Sequence, residues 1–114
     1  MLTLIAATLL TMTAMKADAV ENARKAFNNC MIETHNTAVE EKASPSAFVA
    51  TTEAACLTQR AAYHGILVKA ERSYGSTAKD AEQYATEEVQ SLVDNVVGAF
   101  NENVQSGARL VSEK

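Results

Sequence analysis

The sequence predicts an all-α fold: a small antiparallel three-helix bundle with one disulfide, preceded by an N-terminal signal peptide. The composition is 47% hydrophobic with one proline and four glycines, which favours long helices over disorder. Apolar residues recur at three- and four-residue intervals, as on one face of a helix. The two cysteines lie symmetrically about the turn that contains the proline. A chain of 114 residues has room for one domain.

The first 19 residues resemble a secretory signal peptide. Residues 2–15 are uncharged and mostly apolar, and residues 17–19 form an A-x-A cleavage pattern that places cleavage before Val20. No basic residue precedes the apolar run, so an ordinary N-terminal helix is the alternative. The run is shorter than the roughly 20 apolar residues of a membrane span. We therefore expect a periplasmic or extracellular protein with no stable membrane anchor after cleavage.

The first helix of the mature chain is predicted over residues 20–42, followed by a turn at Ala43 and Ser44. Residues spaced by three and four positions form its apolar face. They are Val20, Ala23, Phe27, Cys30, Met31, Thr34 and Ala38.

The second helix is predicted over residues 45–74. Ser44 is a favourable N-cap, and Pro45 suits the first helical position because its missing N–H has no partner there. Gly75 is a C-terminal stop. Gly65 lies inside this helix and weakens it by about 1 kcal/mol relative to alanine, so a kink at Gly65 is the alternative to a continuous helix. The predicted stripe contains Phe48, Ala55, Cys56, Tyr63, Ile66 and Ala70.

The third helix is predicted over residues 78–105, where the apolar periodicity is clearest. Thr77 and Asp80 form a loose capping box at its start. Its apolar face is wide enough to contact two neighbouring helices. The predicted bundle therefore covers residues 20–107, and residues 108–114 are expected to fray. The apolar face contains Ala81, Ala85, Val89, Leu92, Val93, Val96, Val97, Phe100 and Val104.

The cysteines are predicted to form a structural disulfide. If the first two helices fold back about residue 43, facing residues have numbers that sum to about 86, and Cys30 and Cys56 satisfy this rule. An even cysteine count in an exported chain favours a disulfide. A redox-active pair would usually have C-x-x-C spacing, which these cysteines lack.

The net charge of −4 is concentrated in the third helix. That helix carries Asp80, Glu82, Glu87, Glu88, Asp94 and Glu102 against Lys79 alone. Basic residues are scattered along the chain, so no nucleic-acid partner is expected. The acidic face either is simply solvated or docks a basic partner.

No motif gathers catalytic or metal-binding groups into one site, so neither an enzyme nor a cofactor is expected. His35 and His64 are the obvious metal ligands. Helical pairing places His35 opposite residue 51 and His64 opposite residue 22, about 20 Å apart along the bundle at 1.5 Å per residue. The alternatives left open are a metal-ion or small-ligand carrier that uses one of these histidines, and a small enzyme with an unrecognised site.

Unequal helix lengths predict an interaction surface at the Gly75 end of the second and third helices. A first helix that begins at Val20 reaches only the level of Ile66. Apolar and aromatic side chains beyond that level would then be uncovered, unless a shifted first helix or a bent third helix buries them. The sequence therefore predicts an exported binding protein that contacts an unknown protein, or a second copy, through this end. The candidate surface residues are Leu67, Val68, Tyr74 and Tyr84.

Overall fold

A computed structural model shows an all-α chain with four helices between residues 2 and 114. They are α1 (Leu2–Glu40), α2 (Pro45–Ala54), α3 (Leu57–Ser73) and α4 (Ala78–Asn103). The structure describes the backbone from residue 2 and the side chains from Ala17 onward. The all-α prediction is confirmed, since residues 2–114 contain no strand. The side chains of the predicted leader up to residue 16 lie outside the described residues.

The predicted disulfide between Cys30 and Cys56 is confirmed. The two sulfur atoms are bonded, and the Cα atoms lie 6.0 Å apart, within the usual range of about 4.4–6.8 Å. The antiparallel hairpin therefore places Cys30 and Cys56 opposite each other, as their positions in the sequence predicted, and the two are joined covalently.

The predicted helix over residues 45–74 is wrong in its continuity. The structure interrupts it at Ala55, which is extended (φ −83°, ψ 149°), and at Cys56, which is left-handed (φ 58°, ψ 34°). No glycine or proline marks this point. The anticipated weak point, Gly65, instead lies inside the regular helix α3.

The interruption has a packing reason. α2 contacts both α1 and α4, and Phe48 of α2 stacks on Phe100 of α4 with ring centroids 4.2 Å apart. The change of direction allows this stacking while Cys56 reaches Cys30. The Arg60 guanidinium then donates to the Thr52 carbonyl oxygen at 2.6 Å, which satisfies an acceptor that a continuous helix would have bonded internally.

The α4 stripe is confirmed as the centre of the core. Its buried members are Ala81, Ala85, Val89, Leu92, Val93, Val96 and Phe100. Val97 and Val104 are half-buried and pack against the same cluster. The predicted caps also form: the Ser44 hydroxyl accepts from the Ala47 amide at 3.2 Å, and the Thr77 hydroxyl accepts from the Asp80 amide at 3.1 Å.

The C-terminal tail, residues 108–114, is bonded to α1 rather than frayed. The backbone of Leu110 bonds to the side chain of Asn36, and the backbone of Glu113 bonds to the side chain of Asn29. The expectation of fraying fails because the extended tail finds side-chain amides on α1 that satisfy its peptide groups.

Candidate functional site

An open pocket of about 260 Å³ lies at the Gly75 end of the molecule. We call it the tip pocket. It is formed where the middle of α1 faces the end of α3 and the first turns of α4. The residues that line it are Ala17, Val20, Glu21, Leu67, Ala70, Glu71, Tyr74 and Tyr84.

The four predicted surface residues range from exposed to buried. Tyr74 is 59% exposed and Tyr84 is 39% exposed, as expected for a surface. Val68 is half-buried, and Leu67 is only 4% exposed. Leu67 belongs to the core cluster, against which Val20 and Ala23 of α1 also pack. The structure therefore places the two tyrosines at the mouth of the tip pocket and Leu67 in its wall.

The tip pocket has an acidic lining. Glu21 and Glu71 both line it. The Glu21 carboxylate is paired with Arg24 at 2.6 Å, and the Glu71 carboxylate accepts a hydrogen bond from the Ser76 hydroxyl at 3.1 Å. Burial raises the pKa of the Tyr84 phenol, and the nearby carboxylates Glu88 and Glu71 raise it further. Tyr84 is thus a neutral hydroxyl at physiological pH, beside negative charge that favours cations over anions.

His35 is a buried structural residue. It is 0% exposed, and its ring meets those of Phe48 and Phe100 edge-on at centroid distances of 6.4 and 6.2 Å. The Asn36 side-chain oxygen lies 2.8 Å from His35 Nδ1, and an amide oxygen only accepts, so Nδ1 carries the hydrogen. Nε2 then accepts from the Asn103 amide at 3.3 Å.

His35 therefore has both ring nitrogens engaged and no ring lone pair directed toward solvent. Sequence reasoning missed this burial because histidine is not counted as apolar. The signal that could have revealed it is its spacing, four residues after Met31 and four before Val39, both of which are buried.

His64 lies on the surface of α3 beside α4. Its Nε2 atom is 3.2 Å from Glu82 Oε2 and 3.5 Å from Thr86 Oγ1. A hydroxyl nucleophile activated by histidine needs the orienting carboxylate on the opposite ring nitrogen, whereas both groups here approach the same one. Among the described residues, no group of three His, Cys, Asp or Glu side chains is placed to hold a metal ion.

No protein-family model, curated protein or solved structure matches this chain. Within the described part of the chain, no helix combines the length and apolar character needed to cross a membrane.

Proposed function

We propose that this chain is an exported helical binding protein that contacts its partner through the tip pocket. In this proposal residues 1–19 are a removable signal, and the mature protein is a three-helix bundle in which α2 and α3 together form the second helix. Binding, not catalysis, is the proposed activity. The disulfide between Cys30 and Cys56 supports export, because such bonds persist in oxidising compartments.

The observation that carries the proposal is the position of the tip pocket relative to the proposed cleavage point. Ala17 and Val20 both line the pocket, and they lie on opposite sides of the bond that would be cut. Removal of residues 1–19 would take away Ala17 and widen the pocket in which Leu67 and Ala70 are apolar lining residues. Signal cleavage would thereby open a partly apolar pocket that two exposed tyrosines also line, and tyrosine is enriched at protein interfaces.

The lining of the pocket favours a partner that presents a lysine or arginine side chain. The aliphatic stem of such a residue would pack on Leu67 and Ala70, and its charge would lie near Glu71 and the tyrosine rings. Self-association is the less favourable alternative. It would bring together two copies of the acidic helix α4, and like charges across an interface oppose binding.

Export is tested by expressing the full chain in a secreting host and sequencing the N-terminus of the recovered protein. The proposal expects Val20 as the first residue and an oxidised Cys30–Cys56 pair. A protein that keeps residues 1–19 and remains inside the cell would contradict the signal peptide and the pocket opening that depends on it.

Binding is tested by NMR titration of the mature protein with four short peptides that differ at one position: lysine, arginine, norleucine or glutamate. We expect the lysine and arginine peptides to shift the signals of Leu67 and Tyr84. Norleucine, which keeps the stem without the charge, should bind more weakly, and glutamate should not bind.

The double variant Tyr74→Ser and Tyr84→Ser should abolish these shifts while leaving the melting temperature nearly unchanged. Leu57→Ser is the matched control, because Leu57 is also 59% exposed but does not line the tip pocket. If the tyrosine variant unfolds while binding or self-association survives, the tyrosines are core residues and the proposal fails. Concentration-dependent dimers that the double variant abolishes would identify a second copy as the occupant instead.

A further inference from the structure

Two asparagines on α1 hold the backbone of the C-terminal tail in the same manner. Asn36 donates to the Leu110 carbonyl oxygen at 3.0 Å and accepts from the Leu110 amide at 2.9 Å. Asn29 donates to the Glu113 carbonyl oxygen at 2.9 Å and accepts from the Glu113 amide at 2.8 Å. Each side-chain amide therefore satisfies both polar groups of one residue of the tail. We call this pair the asparagine ladder.

The spacing of the ladder matches an extended peptide. Asn29 and Asn36 are seven residues apart, which is about 10.5 Å along a helix at 1.5 Å per residue. Leu110 and Glu113 are three residues apart, which is about 9 Å in a polyproline-II-like extended segment, where a turn of three residues brings both residues to the same side. Because the two spacings are nearly equal, the same pair of hydrogen bonds forms at Asn29 and at Asn36. On the side of the tail, these bonds involve only backbone N–H and C=O groups. The ladder would therefore accept any extended backbone of this kind that runs antiparallel to α1.

Side-chain selectivity comes from the end of the ladder near Arg24. The Arg24 guanidinium donates to both carboxylate oxygens of Glu113, at 2.6 and 3.0 Å, and the Asn28 amide donates to the same carboxylate at 2.6 Å. Paired donors of this kind recognise a carboxylate with defined geometry. Lys25 adds a bond to the Lys114 carbonyl oxygen at 2.8 Å. The other end of the segment is held by the half-buried side chain of Leu110.

The contacts described here between the tail and α1 are hydrogen bonds and ion pairs at a partly exposed surface. The side chains of Arg24 and Glu113 are 29% and 34% exposed, so water can replace their pairing at modest cost. The tail is joined to α4 through exposed residues around Gly107, which has a left-handed φ of 76°. Such a segment can leave its groove without disturbing the buried core.

We propose that the asparagine ladder is a binding groove for an extended segment of a partner protein, and that the chain's own tail occupies this groove as a competitor. The favoured segment has a large aliphatic residue three positions before a carboxylate, the pattern of Leu110 and Glu113. The groove is distinct from the tip pocket, and its test does not depend on Tyr74 or Tyr84.

The experiment uses the full chain with the tail released by Glu113→Lys, which places a cation beside Arg24. The probe is a labelled synthetic peptide with the native sequence of residues 108–114, ARLVSEK. The peptide should bind this variant and bind the unaltered protein more weakly, by about tenfold for a Kd of about 0.1 mM, because a short flexible connection gives the tail an effective concentration on the order of millimolar. Amide exchange at Leu110 should confirm release of the tail.

Backbone recognition is tested with two methylated peptides. Methylation of the nitrogen that corresponds to Glu113 removes the hydrogen donated to Asn29 and should abolish binding. Methylation of the nitrogen that corresponds to Ser112, which makes no bond to the ladder, should preserve binding. Asn29→Ala combined with Glu113→Lys should lower peptide affinity about tenfold or more without lowering the melting temperature. Asn36 is left unchanged because its side-chain oxygen also accepts from the buried His35.

Three results would overturn the proposal. The first is a Glu113→Lys variant whose tail is released but which does not bind the peptide. The second is a tail that stays bonded to α1 despite the reversed charge. The third is equal loss of binding with both methylated peptides, which would show that the ladder does not read the backbone.

Discussion

The disulfide should supply a large part of the stability of this protein. The perturbation is the double replacement Cys30→Ala and Cys56→Ala, which removes the covalent link while leaving the apolar surroundings nearly intact. Cys56 lies at the interruption between α2 and α3, so the bond also fixes the point at which the chain changes direction. Loss of the disulfide increases the conformational entropy of the unfolded chain. It also removes the covalent bond that holds the turn between α2 and α3 against α1.

The expected loss follows from the loop that the bond closes. The cysteines are separated by 26 residues, and closure of a loop of that length stabilises by about 3.5 kcal/mol in the chain-entropy model. For a domain of this size the corresponding fall in melting temperature is roughly 15 to 25 °C. A net stability of about 5–15 kcal/mol is typical of small proteins, so the variant should remain folded at room temperature but with a reduced margin.

A second variant separates the covalent link from the backbone strain at position 56. Cys56 has a φ of 58°, a conformation that costs a residue with a Cβ roughly 1–2 kcal/mol and glycine almost nothing. The variant Cys30→Ala and Cys56→Gly should therefore be about 1 kcal/mol more stable than the variant with alanine at both positions. Both proteins, together with the unaltered chain, are compared by urea unfolding followed by circular dichroism.

The reasoning would be refuted by a double-alanine variant that loses less than about 1 kcal/mol, because loop closure predicts several times that value. An alanine variant more stable than the glycine variant would show separately that position 56 is not left-handed in solution.

Three further predictions concern the core, the tail and a turn. Phe48→Ala should cost about 3–4 kcal/mol because its buried ring stacks on α4, whereas the exposed neighbour Val49 can be changed to alanine at a cost below about 0.5 kcal/mol; calorimetry compares the two. Arg24 and then Asn28 lower the pKa of Glu113 by hydrogen bonding, so docking of the tail is stabilised above the unfolded carboxyl pKa of about 4.3 and weakens as the pH falls through the lower folded value. After correction for the intrinsic pH dependence of amide exchange, the protection of the tail amides should therefore fall in acid, and greater protection in acid than at neutral pH would contradict this sign. Gly75→Ala should destabilise by about 1 kcal/mol or more, because φ is 102° there and Cβ opposes that conformation; an unchanged urea midpoint would count against the turn geometry.

Local sequence rules determined most of the secondary structure. Ser44 and Thr77 each cap a helix through an oxygen and an amide three residues away, and such bonds depend only on neighbouring residues. The α4 stripe was readable because a single helix that faces the core must repeat its apolar residues every three to four positions. The Cys30–Cys56 bond could be predicted because antiparallel hairpin symmetry converts sequence position into spatial position.

Less of the candidate sites could be read from the sequence. Tyr74 and Tyr84 are exposed as expected, since they lie near a glycine turn at the end of the molecule. Leu67 is instead buried in the core cluster, because a residue's exposure depends on how the neighbouring helices pack against it. The role of Asn29 and Asn36 could not be predicted, because asparagines on a helix are ordinarily solvated and their partners lie more than 70 positions away in the chain.

The sequence by itself therefore determined where α2 and α4 start, which faces are apolar and which cysteines meet, since these depend on local capping, short-range periodicity and one symmetry. Only the tertiary structure decided the interruption at Cys56, the burial of His35 and the docking of the tail. Each of these depends on contacts between distant segments: the stacking of Phe48 on Phe100 changes the direction of α2, and the peptide groups of the tail find their partners on α1. Such contacts leave no periodic signal in the sequence, because each one involves a single side chain or peptide group and not the whole apolar face of a helix.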